Sequence, residues 1–305
     1  MGGLPVRPYP ALPSVPEFVP YNGELDKRRM CPNCRAFITT DDKVCPYCDL
    51  RLETRAVDKR SPADVLGGLI PHARFTTMMI LLVNTGMYIA TVLYSMRGGR
   101  GGGMNLDPQT LVDFGAKYYP YGILAGQWWR LITAGFLHGG LLHIGMNMWV
   151  LFDLGVQVEE IYGTSRYLVF YFVSTVCGFL ASAWWAPLTP SIGASAGIFG
   201  LIGAMIALGL RDRSAYGAMI RSVYTRWAMY GLALGILPSF FGISFMDNAA
   251  HLGGISSGFV VAYLAGTPRF SRGMETFWRA AAGIAMALTA LAFAEMFWFL
   301  TSVQQ

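Results

Sequence analysis

Residues 191–210 read SIGASAGIFGLIGAMIALGL, and their reading decides the fold. The stretch carries no charged side chain, and about 20 such residues are what a bilayer core of ~30 Å requires. Ser195 begins the apolar run, directly after a loop containing Pro187 and Pro190. From Ser195 to Leu210 a helix rising ~1.5 Å per residue covers ~24 Å. That falls short of the full core, so the serine is expected several ångströms below one membrane surface, where water reaches it only through a cavity. Gly197, Gly200 and Ala204 form a stripe of small residues on this helix, suited to close approach by another.

Six more apolar spans flank it, at 75–95, 138–157, 167–186, 227–242, 248–265 and 277–300. The 305-residue chain is 54% apolar and 13% charged, about half the charge of a soluble globular protein. Residues 1–74 hold 20 of the 41 charged residues. This split excludes one large soluble domain and a wholly disordered chain, and leaves a charged head before a polytopic membrane body. The head divides into a Pro-rich disordered tail (1–24), a cysteine-bearing ribbon (25–56) and a charged linker (57–74) that ends at His72 and Arg74. The membrane body runs over 75–300. No secretory signal pattern precedes the first span, which is expected to stay as an anchor. Arg166, then Arg211, Arg213, Arg221 and Arg226, then Arg269, Arg272 and Arg279 fall in loops on one side. The positive-inside rule puts the N-terminus in the cytoplasm and the C-terminus outside. The net charge of +5 therefore reports orientation, and no nucleic-acid partner is expected.

Cys31-Pro-Asn-Cys34 and Cys45-Pro-Tyr-Cys48 are two CxxC hooks. Two such hooks close a tetrahedral thiolate site, so one structural Zn2+ is expected, with no open position for catalysis. Disulfides are disfavoured in a cytosolic segment, and a redox pair requires a larger thioredoxin-like domain. A cytosolic protein is the candidate partner of the ribbon. Cys177, alone in the third span, reads as a small buried apolar residue.

Ionisable and polar groups inside spans mark functional sites by default. With the N-terminus inside, the second, fourth and sixth spans all enter from the outer face. His138, His143 and Asn147 at the start of the second, Ser195 of the fourth and His251 of the sixth then share one depth. His251, Gly254 and Gly258 lie on one helical face, matched to the small stripe beside Ser195. Packing the stripes brings the serine hydroxyl to the imidazole, the arrangement that activates a nucleophile. His143 and Asn147, four apart, are donors for the same cavity, and free N–H groups at the start of the Ser195 helix can stabilise an oxyanion. The string Gly193-Ala194-Ser195-Ala196-Gly197 is weak evidence alone, because a soluble hydrolase needs a strand–turn–helix elbow there. A plain glycine packing seam, interhelical hydrogen bonding, and a metal or haem site using His138, His143 and His251 remain alternatives.

These motifs, in this order, resemble those of the rhomboid intramembrane serine proteases over roughly residues 75–300: Trp129-Arg130, the His138/His143/Asn147 set, Gly193-Ala194-Ser195, and Ala250-His251 with Gly254 and Gly258. The resemblance implies an all-α polytopic fold, a six-helix core plus a seventh C-terminal transmembrane helix. It implies a Ser195–His251 dyad without an obligatory carboxylate, and an oxyanion hole of His143, Asn147 and the Ser195 N–H. Phe199 takes the place of an aromatic that supports the histidine ring, and Trp129 and Arg130 are structural in the first loop. Glu159 and Gly163 look like a polar anchor after the second span. A gate is implied near the fifth span and the loop 240–247, where Phe240, Phe241, Phe245 and Met246 are placed to shield the cavity. Two features depart from the pattern: Ala196 follows the serine where glycine is frequent, and the first loop is rich in glycine at 98, 99 and 101–103.

The expected function is endoproteolysis of transmembrane or membrane-anchored proteins, with no catalytic cofactor, in a multi-pass protein of a bacterial plasma membrane. Asp247, one turn before His251, reads as part of a solvated cap loop. A catalytically silent module that binds transmembrane helices is the alternative.

Overall fold

The computed structural model describes residues 28–31, 33–39, 42–52, 75–98, 105–120, 122, 124–242, 246–267 and 274–302. The tail 1–24, the linker 57–74, the glycines at 99 and 101–103, and Phe245 lie outside them. The chain divides into two compact units, Met1–Ala63 and Asp64–Gln305.

In the first unit β1 (Arg28–Met30) pairs antiparallel with β2 (Phe37–Thr39), Met30 opposite Phe37. Two matching turns follow the cysteine pairs. The N–H groups of Arg35 and Asp49 donate to the carbonyls of Cys31 and Cys45, both at 3.0 Å. Arg35 and Asp49 adopt left-handed φ of 59° and 55°, which sharpens each turn. Cys31, Cys45, Ile38 and Leu52 form the small core.

The second unit is helical. Its long helices are α1 (Phe75–Arg97), α4 (Leu141–Tyr162), α5 (Thr164–Trp185), α6 (Ser195–Arg211), α7 (Ala215–Ser239), α8 (Asn248–Ala265) and α9 (Glu275–Ser302). Short helices α2 (Pro108–Asp113) and α3 (Arg130–Thr133) lie in the loop after α1. Among the described residues α1, α4, α5 and α9 are each long and apolar enough to cross a membrane, and α6 is a shorter apolar helix. Two ends differ from the sequence reading. The second long helix begins at Leu141 rather than 138, because Gly139 and Gly140 break the backbone and leave His138 before the helix. The fifth begins at Ala215 rather than 227. Ser214 caps it by accepting the Gly217 N–H at 3.2 Å, and the helix persists through Arg221 and Arg226, where an apolar window does not.

α6 is the central post, with twelve of its seventeen residues buried. Its neighbours are α8, α7, α5 and α4. Side chains are nearly absent from the α6–α8 seam: a Cβ on Gly258 would strike the Gly200 backbone, and one on Gly254 the Ala196 backbone. The face that α6 turns to α8 is thus Ala196, Gly200 and Gly203, which meets Phe259, rather than the stripe through Gly197 and Ala204. Gly197 instead faces Tyr171 and Thr175 on α5, and the Ala204 carbonyl accepts the Tyr162 hydroxyl at 2.9 Å.

Buried polar groups fasten the rim. Glu159, 2% exposed, accepts the Thr77 N–H and hydroxyl at 3.1 and 2.9 Å and the Thr76 N–H at 3.4 Å, so α4 caps the first turn of α1. Gly163, at φ 79°, ends α4 there. Arg166 at the start of α5 pairs with Glu275 at the start of α9 at 2.7 Å.

Candidate active site

The loop from α1 to α4 is the floor on which the site is built. Trp129 and Arg130 are 4% and 2% exposed. The Arg130 guanidinium lies over the Trp129 ring at 4.5 Å and donates to the Val112 and Ala116 carbonyls, while Trp129 meets Phe299 of α9 at 5.7 Å. Burial pulls the Arg130 pKa down to about 10, against the pull of Asp113, so it stays charged at neutral pH. The pair therefore ties the loop to the last helix. The same loop reaches the segment 186–194 ahead of Ser195. The backbones of Lys117 and Ser191 exchange two hydrogen bonds at 2.9 Å, and the Gly193 N–H donates to Ala134 O at 2.9 Å.

Ser195 begins α6 with Ala194 as its N-cap and no side-chain cap, which leaves first-turn N–H groups for another acceptor. Gly193 has φ 122°, a region that side-chain-bearing residues avoid. A Cβ there would stand 2.8 Å from His143 Nε2 and 3.5 Å from Ser195 Oγ. The space that glycine leaves open is thus bounded by the imidazole on one side and the serine on the other.

The α6–α8 seam sets the serine against His251. Ser195 Oγ lies 2.9 Å from His251 Nε2, fifty-six residues away in the chain. The Phe199 ring stacks on the imidazole, centroids 4.2 Å apart and planes 9° apart. Within the described residues His251 Nδ1 has no hydrogen-bond partner. Asp247 does not supply one: its carboxylate accepts the Ala250 N–H at 2.9 Å as the N-cap of α8 and is bonded to Ser182 Oγ of α5. The residue is half-buried, lines the cavity and is tied into the bundle through Ser182.

His143 and Asn147 face the same space from α4. The Gly139 N–H reaches His143 Nδ1 at 3.4 Å, which leaves Nε2 to carry the proton of a neutral ring. Asn147 spends one amide N–H on the His143 carbonyl at 3.1 Å, keeping a second N–H in reserve. His138, fully buried before α4, packs edge-on to His143 at 5.0 Å. Among the described residues the histidines do not gather into a group of potential metal ligands. A cavity of about 600 Å³ opens onto Ser195, His251, His143 and Asn147. Its apolar walls come from α4 (Leu142, Met146, Val150) and α7 (Trp227, Tyr230, Leu234), with Met246 above. Phe240 and Phe241, 78% and 83% exposed, are not among its lining residues.

The ribbon holds the other cluster. The four sulfurs of Cys31, Cys34, Cys45 and Cys48 lie within 4.8 Å of one another, with Cys31–Cys48 and Cys34–Cys45 at 3.6 Å. That is too long for a disulfide, ~2.05 Å, and close to the ~3.8 Å edge of a tetrahedron with Zn–S bonds of ~2.3 Å. Cys48 is held down to about 6, first by the Leu50 backbone, while burial raises Cys45.

Two residues of the site region carried no functional signal in the sequence. Lys117 was one basic residue of a long loop, and Ser182 one small residue of an apolar span. Only the folded contacts distinguish them.

Residues 125–268 match the family model described as the rhomboid domain, and His143, Asn147, Ser195 and His251 of the cavity lie inside that range. The chain is 36% identical over 167 residues to Rhomboid protease GluP of Bacillus subtilis (strain 168), 55% of this chain and 32% of that protein. It is 34% identical over 195 residues to Rhomboid-like protease 2 of Toxoplasma gondii, 62% of this chain and 64% of that one. It is also 33% identical over 131 residues to Inactive RHOMBOID-like protein 8 of Arabidopsis thaliana, 42% of this chain and 36% of the relative. The chain thus spans 32–64% of the length of these curated relatives.

Proposed function

We propose that this chain, which belongs to the rhomboid family, is an intramembrane serine endopeptidase whose nucleophile is Ser195 and whose general base is His251. The observation that carries this reading is the 2.9 Å contact between Ser195 Oγ and His251 Nε2 at the floor of a cavity inside an apolar bundle.

Ser195 Oγ attacks the scissile carbonyl carbon while its proton passes to His251 Nε2. The carbonyl oxygen becomes an oxyanion beside Gly193, with His143 Nε2–H, the second Asn147 N–H and the Ser195 backbone N–H as its donors; the His143 Nε2 edge of that space supports this reading. Collapse of the tetrahedral adduct breaks the C–N bond, and His251 gives its proton to the leaving amine. Water then attacks the acyl-enzyme with His251 again as base, which frees the acid and restores the serine. Phe199 fixes the plane of the imidazole throughout, and no cofactor enters the reaction. The substrates are transmembrane or membrane-anchored proteins, admitted between the apolar walls of α4 and α7. Their helix must unwind to expose a bond, which favours small or helix-breaking residues at the cut.

The arginines of the α6–α7 turn favour a cytoplasmic N-terminus and an outer C-terminus, and the similarity to a Bacillus subtilis protein supports a bacterial inner membrane as the setting. The sulfur geometry of the ribbon fits one structural zinc ion held by Cys31, Cys34, Cys45 and Cys48, and metal analysis of the purified chain should return one zinc per chain. Residues 25–56 are that ribbon, and a cytosolic protein is its partner.

The deciding experiment compares the full chain with Ser195→Ala and His251→Ala on a model transmembrane substrate and with a serine-reactive fluorophosphonate. Cleavage and labelling by the wild type, both lost in the folded variants, is the expected result. Activity surviving either substitution removes the dyad. A folded wild type that binds transmembrane helices without cutting them leaves the silent reading, to which the similarity to a relative named inactive points.

A further inference from the structure

The reaction above leaves one buried cation without a task. Lys117 is 2% exposed, and its Nζ donates to the carbonyls of Ala186 at 3.0 Å and Thr189 at 2.8 Å. Both carbonyls belong to the short segment between α5 and α6. The Lys117 backbone pairs with Ser191 in both directions, and the next tyrosine but one, Tyr119, donates its N–H to Pro187 O at 3.2 Å. One side of the segment is therefore held from 186 to 191 by two residues of the first loop, Lys117 and Tyr119, and Gly193 follows, bonded to Ala134.

Burying an ammonium group is costly, and packing alone would be met better by an apolar side chain of the same length. What the ammonium adds is direction: it fixes the carbonyls of Ala186 and Thr189, each in a peptide bond to a proline (Pro187, Pro190) that has no N–H of its own to hold the segment. The segment they fix leads directly into Gly193 and the first N–H groups of α6, which bound the oxyanion space. Burial lowers the Lys117 pKa, and the Asp247 carboxylate opposes that shift. Asp247 is the cap of the helix that carries His251, so the same side chain stands near both halves of the dyad's support.

We propose that Lys117 is a positioning residue for the oxyanion-binding segment 186–195, and this rests on the reading of Ser195 as the nucleophile. It touches neither substrate nor dyad. It sets the alignment of the Gly193 turn and the Ser195 N–H with His143 Nε2. A displacement of about 1 Å at such a site lowers turnover by about 100-fold. Most of the apolar walls that would hold a substrate helix are on α4 and α7, and the segment adds only Ser191 and Ile192 ahead of Ser195, so KM is expected to change less than kcat.

The test uses the full-length chain in one detergent, with Lys117→Met, Lys117→Gln and Lys117→Arg beside the wild type. Active sites are counted by fluorophosphonate labelling, and kcat per labelled site and KM are measured on the model transmembrane substrate. Lys117→Met and Lys117→Gln should lose about 10- to 100-fold in kcat per site and label proportionally more slowly, with KM within about twofold. Lys117→Arg, which keeps a charge and several donors, should recover most of the loss. The proposal is overturned by an unchanged kcat per site, by a change confined to KM, by no recovery in Lys117→Arg, or by all three variants failing to fold. A wild type that neither cleaves nor labels overturns this proposal together with the reading of Ser195. A wild type that cleaves beside an unaffected Lys117→Met overturns the role of Lys117 alone.

Discussion

The α6–α8 seam and the space between α4 and α7 are opposite ways of setting two helices side by side. In the seam, Gly258 lies on Gly200 and Gly254 on Ala196, so the backbones touch and no side chain can be repacked. Between α4 and α7 there is instead a cavity of about 600 Å³ walled by large, flexible apolar side chains. The two are joined below it by the Tyr224 hydroxyl, which donates to Gln157 Oε1 at 2.8 Å. The difference teaches where stiffness is needed. The serine and the histidine ride on the pair of helices least able to move, and the slack lies in the wall through which a substrate would enter.

Breaking the tight side should have the largest effect. Gly258→Val drives two methyl groups into the Gly200 backbone, an overpacking of about 1–3 kcal/mol or more, and parts Ser195 from His251. Cleavage should fall below detection and Tm should drop, both read on the same preparation. Full activity in that variant would show that the seam does not hold the dyad. Phe199→Ala comes next: it removes the ring stacked on His251, and aromatic pairs are worth about 0.5–1.5 kcal/mol. A loss of up to about tenfold in kcat of the folded enzyme is expected beyond the fall in Tm that truncating a buried ring brings, and a loss confined to Tm would make the ring merely core.

Loosening the slack side should do less, and in the other direction. Tyr224→Phe deletes a bond of a kind worth about 0.6 kcal/mol between membrane helices. The expected result is a slightly lower Tm and kcat/KM for a bulky substrate raised about threefold; a fall in kcat/KM would count against mobility of α7. Gly145→Ala on α4 is the smallest. A Cβ there meets nothing within 4 Å, and alanine is the better helix former, so activity should hold while Tm stays level or rises.

Much of this was legible in the sequence because membrane burial constrains composition so strongly. Seven long helices, a serine at the head of a short one and polar residues at matching ends follow from the length of apolar runs and the order of the spans. The register of the seam was not legible. Gly197, Gly200 and Gly203 all lie within two turns of α6, and only the position of α5 decides that Gly197 faces Tyr171 while Gly203 meets Phe259. The start of α7 was missed because hydropathy registers the arginines at 221 and 226, not the helix that carries them. Lys117 was invisible for a further reason: it acts on backbone carbonyls of a distant segment, and backbone leaves no trace in the residue types it presents. Asp247 caps its own helix, and only the fold brings it to Ser182 of α5.

The Glu159 carboxylate also has a consequence in time. Its partners, Thr76 and Thr77, precede it by more than eighty residues and open α1, which is synthesised before α4. When α1 enters the bilayer, the acceptor for its leading N–H groups has not been synthesised, and it arrives only at the far end of the next long helix. Until then those groups must remain at the water interface. Once α4 has been threaded, the carboxylate takes them up beside the Thr164 hydroxyl and sheds its own water. Insertion of the second long helix and the final seating of the first are therefore one event, and a chain arrested between them holds α1 at the membrane without yet docking it.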